Sequence, residues 1–505
     1  MKYYLGVDIG TTSTKAIVFD EKGKEVKKAS REYPTLSPQA GFKEQDPEVI
    51  FQAVIDSISN AASDLSGIID FISFSAAMHS IIAVDKEGLP LTNSIIWSDS
   101  RSEGYVEEYK ISGKGREYYK RTGTPTHSMS PLYKLFWLRD NEKELFKNTH
   151  KFISIKEYVI YKLFNVYKVD FSIASASGLF NIYTRKYEPK ILSDIGISEG
   201  KLSEAVPTTH ILRGMKEEYS EAMGISSSIP VVIGASDGCL ANLGSNSIKE
   251  GAASITIGTS GAVRVAFNKP VTGEGERTFC YILTEDKYIV GGAINNGGDA
   301  YRWFRDNFGE LEVLESKERD ISSYEIFNRY LEASPPGSRG MIFLPFLTGE
   351  RAPYWNSNLR GSFIGISDLH TKPDFTRAVI EGICYSLKDV YTSIEALVKE
   401  VKSIHINGGF MRCEEWIRSL SDIIGMPLVV AQSFEAPCLG AIILGLYALK
   451  EYDSLEEAAE LCRTAEVYAP RKENIEMYNE IFQVYKEAVE RLMSLWERLL
   501  KYQIK

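Results

Sequence analysis

Several patterns that would place this chain of 505 residues in a familiar class are missing from it. The six cysteines include no C-x-x-C pair, and none has a histidine at zinc-ligand spacing. This pattern indicates free thiols in a reducing compartment, not disulfides or cysteines that bind a structural metal ion. No G-x-x-x-x-G-K-[ST] sequence occurs, and no G-x-G-x-x-G opens a helix after a strand. Neither the Walker phosphate loop nor the dinucleotide-binding fold is therefore supported.

Long apolar runs and an excess of basic residues are also missing. No stretch approaches the roughly 20 apolar residues of a spanning helix, and the start MKYYLGVD lacks the basic and apolar parts of a secretion signal. The formal net charge is -10, which does not favour binding to a polyphosphate backbone. We therefore expect a cytoplasmic protein that has neither a membrane nor a nucleic acid as its partner.

What is present is typical of a large globular protein, since 44% of the residues are hydrophobic and 25% are charged. The length exceeds one ordinary core and predicts two large domains. Short strand-like runs such as FISFSAA alternate with long helical ones such as DFTRAVIEGICYSLKDVY, which predicts mixed sheets covered by helices, an α/β fold. The Gly- and Ser-rich segment NLGSNSIKEG predicts a boundary near residue 245, with domains at 1–245 and 246–505.

One hairpin-like stretch occurs twice, as GVDIGTTSTKAIVF at 6–19 and SITIGTSGAVRVAF at 254–267. The offset of the two copies places Ile9, Gly10 and Thr11 on Ile257, Gly258 and Thr259. A turn of Gly, Thr and Ser exposes N–H groups and hydroxyls to an anion, although a plain hairpin turn is the alternative. The repeat predicts two similarly built lobes, each with a turn that binds phosphate.

The two copies differ at one chemically important position, where the first has Asp8 and the second has Thr256. Magnesium ions prefer one or two carboxylates together with water and phosphate oxygens. The asymmetry therefore predicts that only the first copy contributes to binding a metal ion, through Asp8.

Two long motifs, MSPLYKLFWLRDN at 129–141 and GSFIGISDLHTKPDFTRAVIE at 361–381, stand far apart in the chain. They resemble the two signatures of the FGGY family of carbohydrate kinases, and with the two turns the resemblance extends from residue 4 to about 450. The matching positions are Met129, Pro131, Lys134 and Trp137, then Gly361, Gly365, Asp374 and Glu381. The resemblance implies the two-lobed fold of actin, hexokinase and Hsp70, with duplicated ribonuclease H-like domains and a nucleotide cleft between them.

The resemblance also implies roles in binding ATP and Mg²⁺. Asp8 would serve the metal, and Asp237 would be the general base that accepts the proton of the attacking hydroxyl. The implied nucleotide-binding residues are Gly10, Thr11, Thr12 and Lys15 in the first turn, Gly258, Thr259 and Ser260 in the second, and Gly298, Gly408, Gly409 and Cys413 beyond it. From the residues alone, Asp237 beside a glycine is more simply a turn former, and Lys15 is at least as readily a solvated residue at a strand edge. Many relatives have Asn or Ser where Cys413 stands, and a thiol is a poorer hydrogen-bond partner.

The implied sugar site lies in the first lobe. Its residues are Met78, His79, Trp97, Arg101, His127 and Asp237. Each of three residues also has a structural alternative. His79 can be a histidine at a strand end whose hydrogen bonds are made within the protein, Trp97 can be an aromatic residue that only packs, and Arg101 can pair with Asp99. Segments such as RTGTPTHSMSP and LTGERAPYWN resemble those of the family members that phosphorylate gluconate. Because D-gluconate is an anion, His127 or Arg101 is expected to meet its carboxylate.

The function implied by the resemblance is transfer of the γ-phosphate of ATP to a sugar-acid hydroxyl, with 6-phospho-D-gluconate as product. Xylulose kinases are the alternative, because they carry a related Met-His element. An actin-like or Hsp70-like ATPase would share the fold but has no reason to carry both kinase signatures. Apolar residues at spacings of three, four and seven over 473–500 predict an amphipathic helix, which packs on its own lobe or forms a homodimer contact.

Overall fold

The computed structural model describes residues 2–65, 68–398, 400–431 and 435–503, which form two compact units. Unit 1 comprises Met1–Glu250, Ala266–Val290 and Glu435–Arg463, and unit 2 comprises Gly251–Val265, Gly291–Phe434 and Thr464–Lys505. The predicted two-domain α/β fold is confirmed. The units are not two continuous halves, since two later segments join unit 1, and the boundary between 245 and 246 stays a prediction.

The strands are numbered in chain order. They are β1 Tyr3–Ile9, β2 Ser13–Asp20, β3 Glu25–Glu32, β4 Glu44–Gln45, β5 Ile69–Ala76, β6 Ile82–Val84, β7 Ser94–Ile95, β8 Lys151–Ile153, β9 Lys168–Asp170, β10 Phe180–Asn181, β11 Lys186–Tyr187, β12 Glu204–Val206, β13 Ile211–Leu212, β14 Val231–Ser236, β15 Ala252–Ile257, β16 Gly261–Phe267, β17 Phe279–Ile282, β18 Tyr288–Ile294, β19 Ile342–Leu344, β20 Ser362–Ile364, β21 Ser403–Asn407, β22 Leu428–Ala431 and β23 Thr464–Tyr468.

The α-helices are numbered in the same way. They are α1 Pro47–Ala62, α2 Glu103–Ile111, α3 Lys114–Thr122, α4 Pro131–Asn141, α5 Lys143–Asn148, α6 Ile155–Phe164, α7 Phe171–Ser175, α8 Pro189–Ile195, α9 Glu217–Met223, α10 Asp237–Leu243, α11 Gly298–Phe308, α12 Glu310–Glu318, α13 Ser323–Ala333, α14 Lys372–Glu395, α15 Glu414–Ile424, α16 Ala436–Ala448, α17 Leu455–Ala459 and α18 Lys472–Gln503. Short 3₁₀ helices lie at Glu199–Lys201, Glu274–Glu276, Ser338–Gly340 and Gly409–Arg412.

The main sheet of unit 1 has the strand order β13-β14-β5-β1-β2-β3. Strands β14, β5 and β1 are parallel, and β2 returns antiparallel beside β1. The core on this sheet includes Val7 of β1 and Phe74 of β5, packed with apolar residues of α1. Helix α1 begins after Asp46, whose carboxylate accepts the Glu48 N–H at 2.8 Å. The carboxyl ends of three parallel strands therefore meet at one edge.

Unit 2 repeats this plan. Five of its strands follow one another in the order β16-β15-β21-β22-β23. As in unit 1, the first strand forms an antiparallel hairpin, here β15 with β16, and has a parallel neighbour on its other side, here β21. The repeat predicted from the two hairpin-like stretches is thus present in the fold.

The two hairpin turns differ by one residue, although the sequence offset is constant. In the first hairpin Ile9 pairs with Thr14, so the turn holds residues 10–13. In the second, Ile257 pairs with Gly261, and the turn holds residues 258–260. In each turn the first glycine N–H donates to a serine carbonyl, Ser13 at 3.0 Å and Ser260 at 2.9 Å. The second turn is therefore the tighter of the two.

The C-terminal amphipathic helix is present as α18 and packs within unit 2. Its buried residues include Tyr478, Phe482 and Tyr485, and the Trp496 indole N–H donates to the Ser362 hydroxyl at 3.2 Å. The homodimer contact stays a prediction. All six cysteines are buried free thiols, as predicted. Within the part of the chain that the structure describes, every helix is too short or too polar to cross a membrane.

Candidate active site

Two aspartates lie at the carboxyl ends of two parallel strands in the main sheet of unit 1. Asp8 is near the end of β1, and Asp237 follows β14 as the first residue of α10. Strand β5 lies between them and contributes Ser75, whose hydroxyl donates to Asp8 Oδ1 at 2.6 Å. The sheet thus brings together two predicted site residues that are far apart in sequence.

The surroundings of Asp8 raise the pKa of its carboxyl group above the usual value of an aspartate. Burial raises the pKa of Asp8 to about 6, and the charge of Asp237 acts in the same direction. The Ser75 hydroxyl and the Lys15 ammonium lower this pKa without cancelling the rise. Two acidic groups so placed are an environment that a cation would stabilise.

The carboxylates at this site suit Mg²⁺ better than a metal ion that takes all of its ligands from protein side chains. Over residues 2–65, 68–398, 400–431 and 435–503, no cluster of three or more His, Cys, Asp or Glu suits a metal ion. Magnesium instead takes one or two carboxylates and completes its shell with water and phosphate oxygens. Asp8, with Asp237 nearby, supplies carboxylates of that kind.

We expect the substitution Asp8→Asn to stabilise the metal-free protein near pH 7. Because the pKa of Asp8 is raised from 3.8 to about 6, the folded protein binds this proton more tightly than the unfolded chain does. The stability that the protonated carboxyl provides is lost as the pH rises from about 4 to about 6, and the variant avoids a loss of about 3 kcal/mol.

Thermal unfolding in EDTA, at pH 4 and at pH 7, measures this effect. The midpoint of Asp8→Asn should exceed that of the wild type at pH 7 and approach it at pH 4. Asp70→Asn is the control, because Asp70 is exposed on the neighbouring strand β5. A variant with an unchanged or lower midpoint at pH 7 would contradict the environment assigned to Asp8.

The first turn is held by side chains from other segments. The Trp97 indole N–H donates to the Thr11 hydroxyl at 3.0 Å, and the Gln45 amide donates to the Thr11 carbonyl. The Tyr33 N–H donates to the Thr12 carbonyl at 3.1 Å. Trp97, predicted to bind the sugar, therefore contacts the turn predicted to bind phosphate.

Lys15 lies on β2 directly opposite Asp8. Its ammonium group donates to Glu435 Oε2 at 2.9 Å, and Lys28 binds the same carboxylate. Lys15 is thus an ion-pair partner in unit 1 as well as a charge beside Asp8. Its predicted contact with the nucleotide stays a prediction.

His79 follows β5 and has a left-handed backbone, with φ +70°. Its ring is buried, and Nδ1 donates to the Ala176 carbonyl at 2.8 Å, so Nδ1 carries a proton. Its own carbonyl accepts from Lys134 at 2.8 Å. These two bonds hold a backbone conformation that costs about 1 to 2 kcal/mol for a residue other than glycine. Met78, beside it, is half-buried.

His127 is buried in the segment that precedes α4. Its Nδ1 accepts the Met129 N–H at 3.1 Å, so Nδ1 is unprotonated and the proton of the neutral ring is on Nε2. The preceding residue, Thr126, donates its N–H to Glu276 Oε2 at 3.0 Å. The two predicted sugar-site histidines therefore have opposite proton positions.

Arg101 is paired with carboxylates of the protein. Its guanidinium donates to both oxygens of Asp99, at 2.9 and 2.8 Å, and to Glu44. It also stacks on the Phe42 ring, 3.8 Å from the centroid. The structure thus shows the pairing with Asp99 that the sequence left open, and a contact of Arg101 with the substrate stays a prediction.

Unit 2 brings together the predicted turn and two of the predicted glycines. The Gly298 N–H donates to the Gly258 carbonyl at 2.7 Å, at the start of α11. Gly408 follows β21 with φ +115°, and a Cβ there would lie 2.2 Å from the Ile257 carbonyl oxygen. Only glycine fits such an approach. The Thr259 carbonyl accepts the Asp299 N–H at 3.1 Å, which fixes the turn against the helix.

Gly409 and Cys413 flank the first turns after β21. A Cβ added to Gly409 would meet nothing within 4 Å, so this position leaves open space beside the backbone. Cys413 is buried at the start of α15, and burial raises the pKa of its thiol to about 11. The thiol is therefore protonated at neutral pH. Its predicted place in nucleotide binding stays a prediction.

Three residues that the sequence analysis did not single out fix the backbone just before Asp237. The Ser236 N–H donates to the Ser172 hydroxyl at 3.1 Å, and the Ala235 carbonyl accepts from the Lys156 ammonium at 3.1 Å. Lys156 is also paired with Asp170 at 2.8 Å, and both are buried. The segment YKVDFSIASAS contains two of them, but nothing in its spacing relates it to Asp237.

Among the described residues, those of the two signature motifs make hydrogen bonds within the units and not with the two Gly-Thr turns. Glu381 of α14 is buried and accepts hydrogen bonds from the Gly337 N–H at 3.0 Å and the Tyr478 hydroxyl at 2.6 Å. Asp374 caps the start of the same helix by accepting the Thr371 N–H at 2.9 Å. Lys134 of α4 donates to main-chain carbonyls. These motifs therefore stabilise the frame that carries the site.

Fold and site together define a class. An α/β protein with two units of the same plan, a Gly-Thr turn in each and paired aspartates in the first is an actin- and hexokinase-like phosphotransferase. The N-terminal domain model of the FGGY family of carbohydrate kinases matches residues 3–244, and the C-terminal domain model matches residues 253–449. The chain belongs to this family, and it is a phosphotransferase with a sugar hydroxyl as acceptor.

Individual relatives agree with this assignment. The chain is 42% identical to a gluconokinase of Bacillus subtilis (strain 168), over 99% of this chain and 98% of the relative. Two solved structures from Lactobacillus acidophilus, a gluconate kinase and a ligand-bound xylulose kinase, each have a TM-score of 0.93 and 34% identity. Both alignments cover 99% of this chain, with 99% of the gluconate kinase and 100% of the xylulose kinase.

Proposed function

We propose that this protein is a gluconate kinase, which transfers the γ-phosphate of ATP to the 6-hydroxyl of D-gluconate. The observation that carries the proposal is the pairing of Asp8 and Asp237 at one sheet edge, close enough for the charge of Asp237 to raise the pKa of Asp8. One carboxylate can then bind the metal ion, and the other can accept the proton of the attacking hydroxyl. The ATP that the reaction needs supports a cytoplasmic location.

Asp237 is proposed as the general base. Its carboxylate orients the sugar hydroxyl and accepts its proton while the hydroxyl oxygen forms a bond to the γ-phosphorus. The bond from that phosphorus to the bridging oxygen of ADP breaks, so ADP leaves with the electron pair. A carboxylate of ordinary basicity suffices, because the transition state of phosphoryl transfer is loose and the nucleophile needs positioning more than ionisation.

The backbone of each turn is proposed to hold phosphate oxygens. In unit 1 the candidates are Gly10, Thr11 and Thr12, and in unit 2 they are Gly258, Thr259 and Ser260. The close approach of Gly408 to the Ile257 carbonyl and the open space at Gly409 support an adenosine position beside the end of β21. Asp8 would hold Mg²⁺, through water, and the ion would neutralise charge on the transferring phosphoryl group.

Gluconate differs from the neutral sugars by its carboxylate, so a hydrogen-bond donor of the sugar site should recognise it. Arg101 is a poor candidate, because Asp99 and Glu44 already pair with its guanidinium. His127 is the better one, since the Met129 N–H fixes its proton on Nε2. The 42% identity to a gluconokinase supports the same substrate, and xylulose is the alternative acceptor.

A coupled assay of ADP release tests the substrate. The acceptors are D-gluconate, D-xylulose, glycerol, L-ribulose and none, each with Mg·ATP. We expect the highest kcat/KM for gluconate, and we expect His127→Ala to raise KM for gluconate about tenfold or more, with a smaller rise for any neutral sugar that is turned over.

The alternatives give different results. Preference for xylulose would keep the kinase and discard the gluconate site. Hydrolysis of ATP that no sugar accelerates would contradict the proposed function altogether. An equal rise of KM for gluconate and for a neutral sugar in His127→Ala would contradict the role of His127 while leaving the substrate assignment intact.

A further inference from the structure

Lys134 is a buried lysine whose ammonium group is surrounded by main-chain carbonyls. Its side chain is fully buried in α4 of unit 1. Nζ donates to the carbonyl oxygens of Ile96 at 2.7 Å, His79 at 2.8 Å and Met129 at 3.0 Å. An ammonium group has three N–H bonds, which these three closest acceptors can take up, while the Ile95 carbonyl oxygen lies farther away at 3.5 Å.

The three acceptors belong to three separate segments, and each segment carries a predicted sugar-site residue. His79 is itself one of them and follows Met78. Ile96 directly precedes Trp97, and Met129 stands two residues after His127. The distances between these segments are therefore set in part by a single nitrogen atom.

We propose that Lys134 is a positioning residue for the acceptor sugar, because its ammonium group fixes the segments of His79, Trp97 and His127 relative to one another. Lys134 need not touch the substrate. It acts through carbonyl oxygens whose neighbouring side chains form the sugar site. The inference rests on the proposed function, since it assumes that these three residues bind the acceptor.

Main-chain hydrogen bonds between Ile81 and Ile95 also join the first two segments, whereas Lys134 is bonded to all three segments. Each has its own hydrogen bond to a different partner: His79 to Ala176, Trp97 to Thr11 and His127 to the Met129 N–H. These bonds orient the individual side chains. Lys134 is bonded to all three segments at once, and its loss should therefore affect them together.

The substitution Lys134→Met keeps the length and apolar stem of the side chain and removes the three donors. We expect KM for the acceptor sugar to rise about tenfold or more, because small displacements of binding groups are costly, while KM for ATP stays within about twofold. Amide hydrogen exchange of the protein without substrate should quicken in 79–81, 96–98 and 128–130 together.

Lys388→Met is the matched control. Lys388 is also a buried helical lysine, and its ammonium donates to the Ile423 carbonyl and to Asn479 Oδ1, both at 2.6 Å. It lies in unit 2, in α14. The control should lose thermal stability to a similar extent, but KM for the sugar and exchange in the three segments should not change.

Lys134→Arg is the second variant, needed if Lys134→Met does not fold. The planar guanidinium keeps the charge but cannot direct donors to three carbonyls around one point. We expect a rise in KM for the sugar of about threefold or more, with KM for ATP unchanged.

The proposal is overturned if Lys134→Met changes the two KM values equally, or if the three segments exchange as in the wild type. If only Lys134→Arg folds, a wild-type KM for the sugar together with wild-type exchange overturns it. The exchange measurement uses no substrate, so it tests the positioning even where the wild type phosphorylates no sugar. That last result would contradict the proposed function instead.

Discussion

Asp237→Ala is expected to lower kcat for sugar phosphorylation by about 10²- to 10⁴-fold, the usual range for loss of a general base. The structure explains why the substitution should affect catalysis without disturbing the helix. Asp237 is the first residue of α10, but the helix is capped by the preceding Ser236, whose hydroxyl accepts the Cys239 N–H. Removing the carboxylate therefore leaves the cap in place, and KM for ATP should change little.

Steady-state kinetics of Asp237→Ala and of a control variant check this prediction. Glu217→Ala is suitable, because Glu217 is also the acidic first residue of a seven-residue helix in unit 1, and it is exposed. The control should retain wild-type kcat. Near-normal turnover of Asp237→Ala would remove Asp237 from the reaction and leave the proposed mechanism without its base.

Lys156→Met is expected to destabilise the protein by about 3 to 5 kcal/mol, the usual result of leaving one charge of a buried pair without its partner. Lys156 and Asp170 are both buried and lie 2.8 Å apart. Burial lowers the pKa of Lys156, and the charge of Asp170 and its hydrogen bond act in the opposite direction. Urea unfolding at pH 7 measures the change.

Two further variants separate this effect from a general loss of packing. Lys168→Met removes an exposed pair with Glu204 nearby and should cost no more than about 1 kcal/mol. The double variant Lys156→Met/Asp170→Asn should lose less than the two single losses together, because Asn still caps α7 and no buried charge remains unpaired. Strict additivity would show that the pairing is not what stabilises this region.

Removing the Lys156 ammonium group should also lower the activity of the enzyme. Lys156 donates to the Ala235 carbonyl, two residues before Asp237. At temperatures where Lys156→Met is folded, we therefore expect kcat to fall more than KM for ATP rises. A variant that is unstable but has wild-type kcat would show that the backbone before Asp237 does not need this bond.

The sequence determined the class of fold and the family. Alternating strand-like and helical runs depend on local periodicity, which a single sequence displays directly. The duplicated hairpin was visible because both copies keep Gly and Thr at the same offset. The length of each turn was not visible, since Ile9 pairs with Thr14 but Ile257 pairs with Gly261.

The sequence also supplied the candidate site residues, but not which of them lie close together. Arg101 illustrates the limit. Its two possible partners, a substrate carboxylate and Asp99, are chemically alike, and only the fold shows Asp99 and Glu44 on the guanidinium. The proton positions of His79 and His127 likewise depend on the Ala176 carbonyl and the Met129 N–H.

By itself the sequence thus determined the local chemistry of this protein: an aspartate before the first turn, a threonine before the second, and motifs that resemble a kinase family. Only the tertiary structure decided which distant residues meet. Asp8 and Asp237 are neighbours because β5 lies parallel between β1 and β14, and parallel strands bring their carboxyl ends to one edge. Lys134 joins three segments for a similar reason, because a buried ammonium group must find carbonyl acceptors wherever the fold places them.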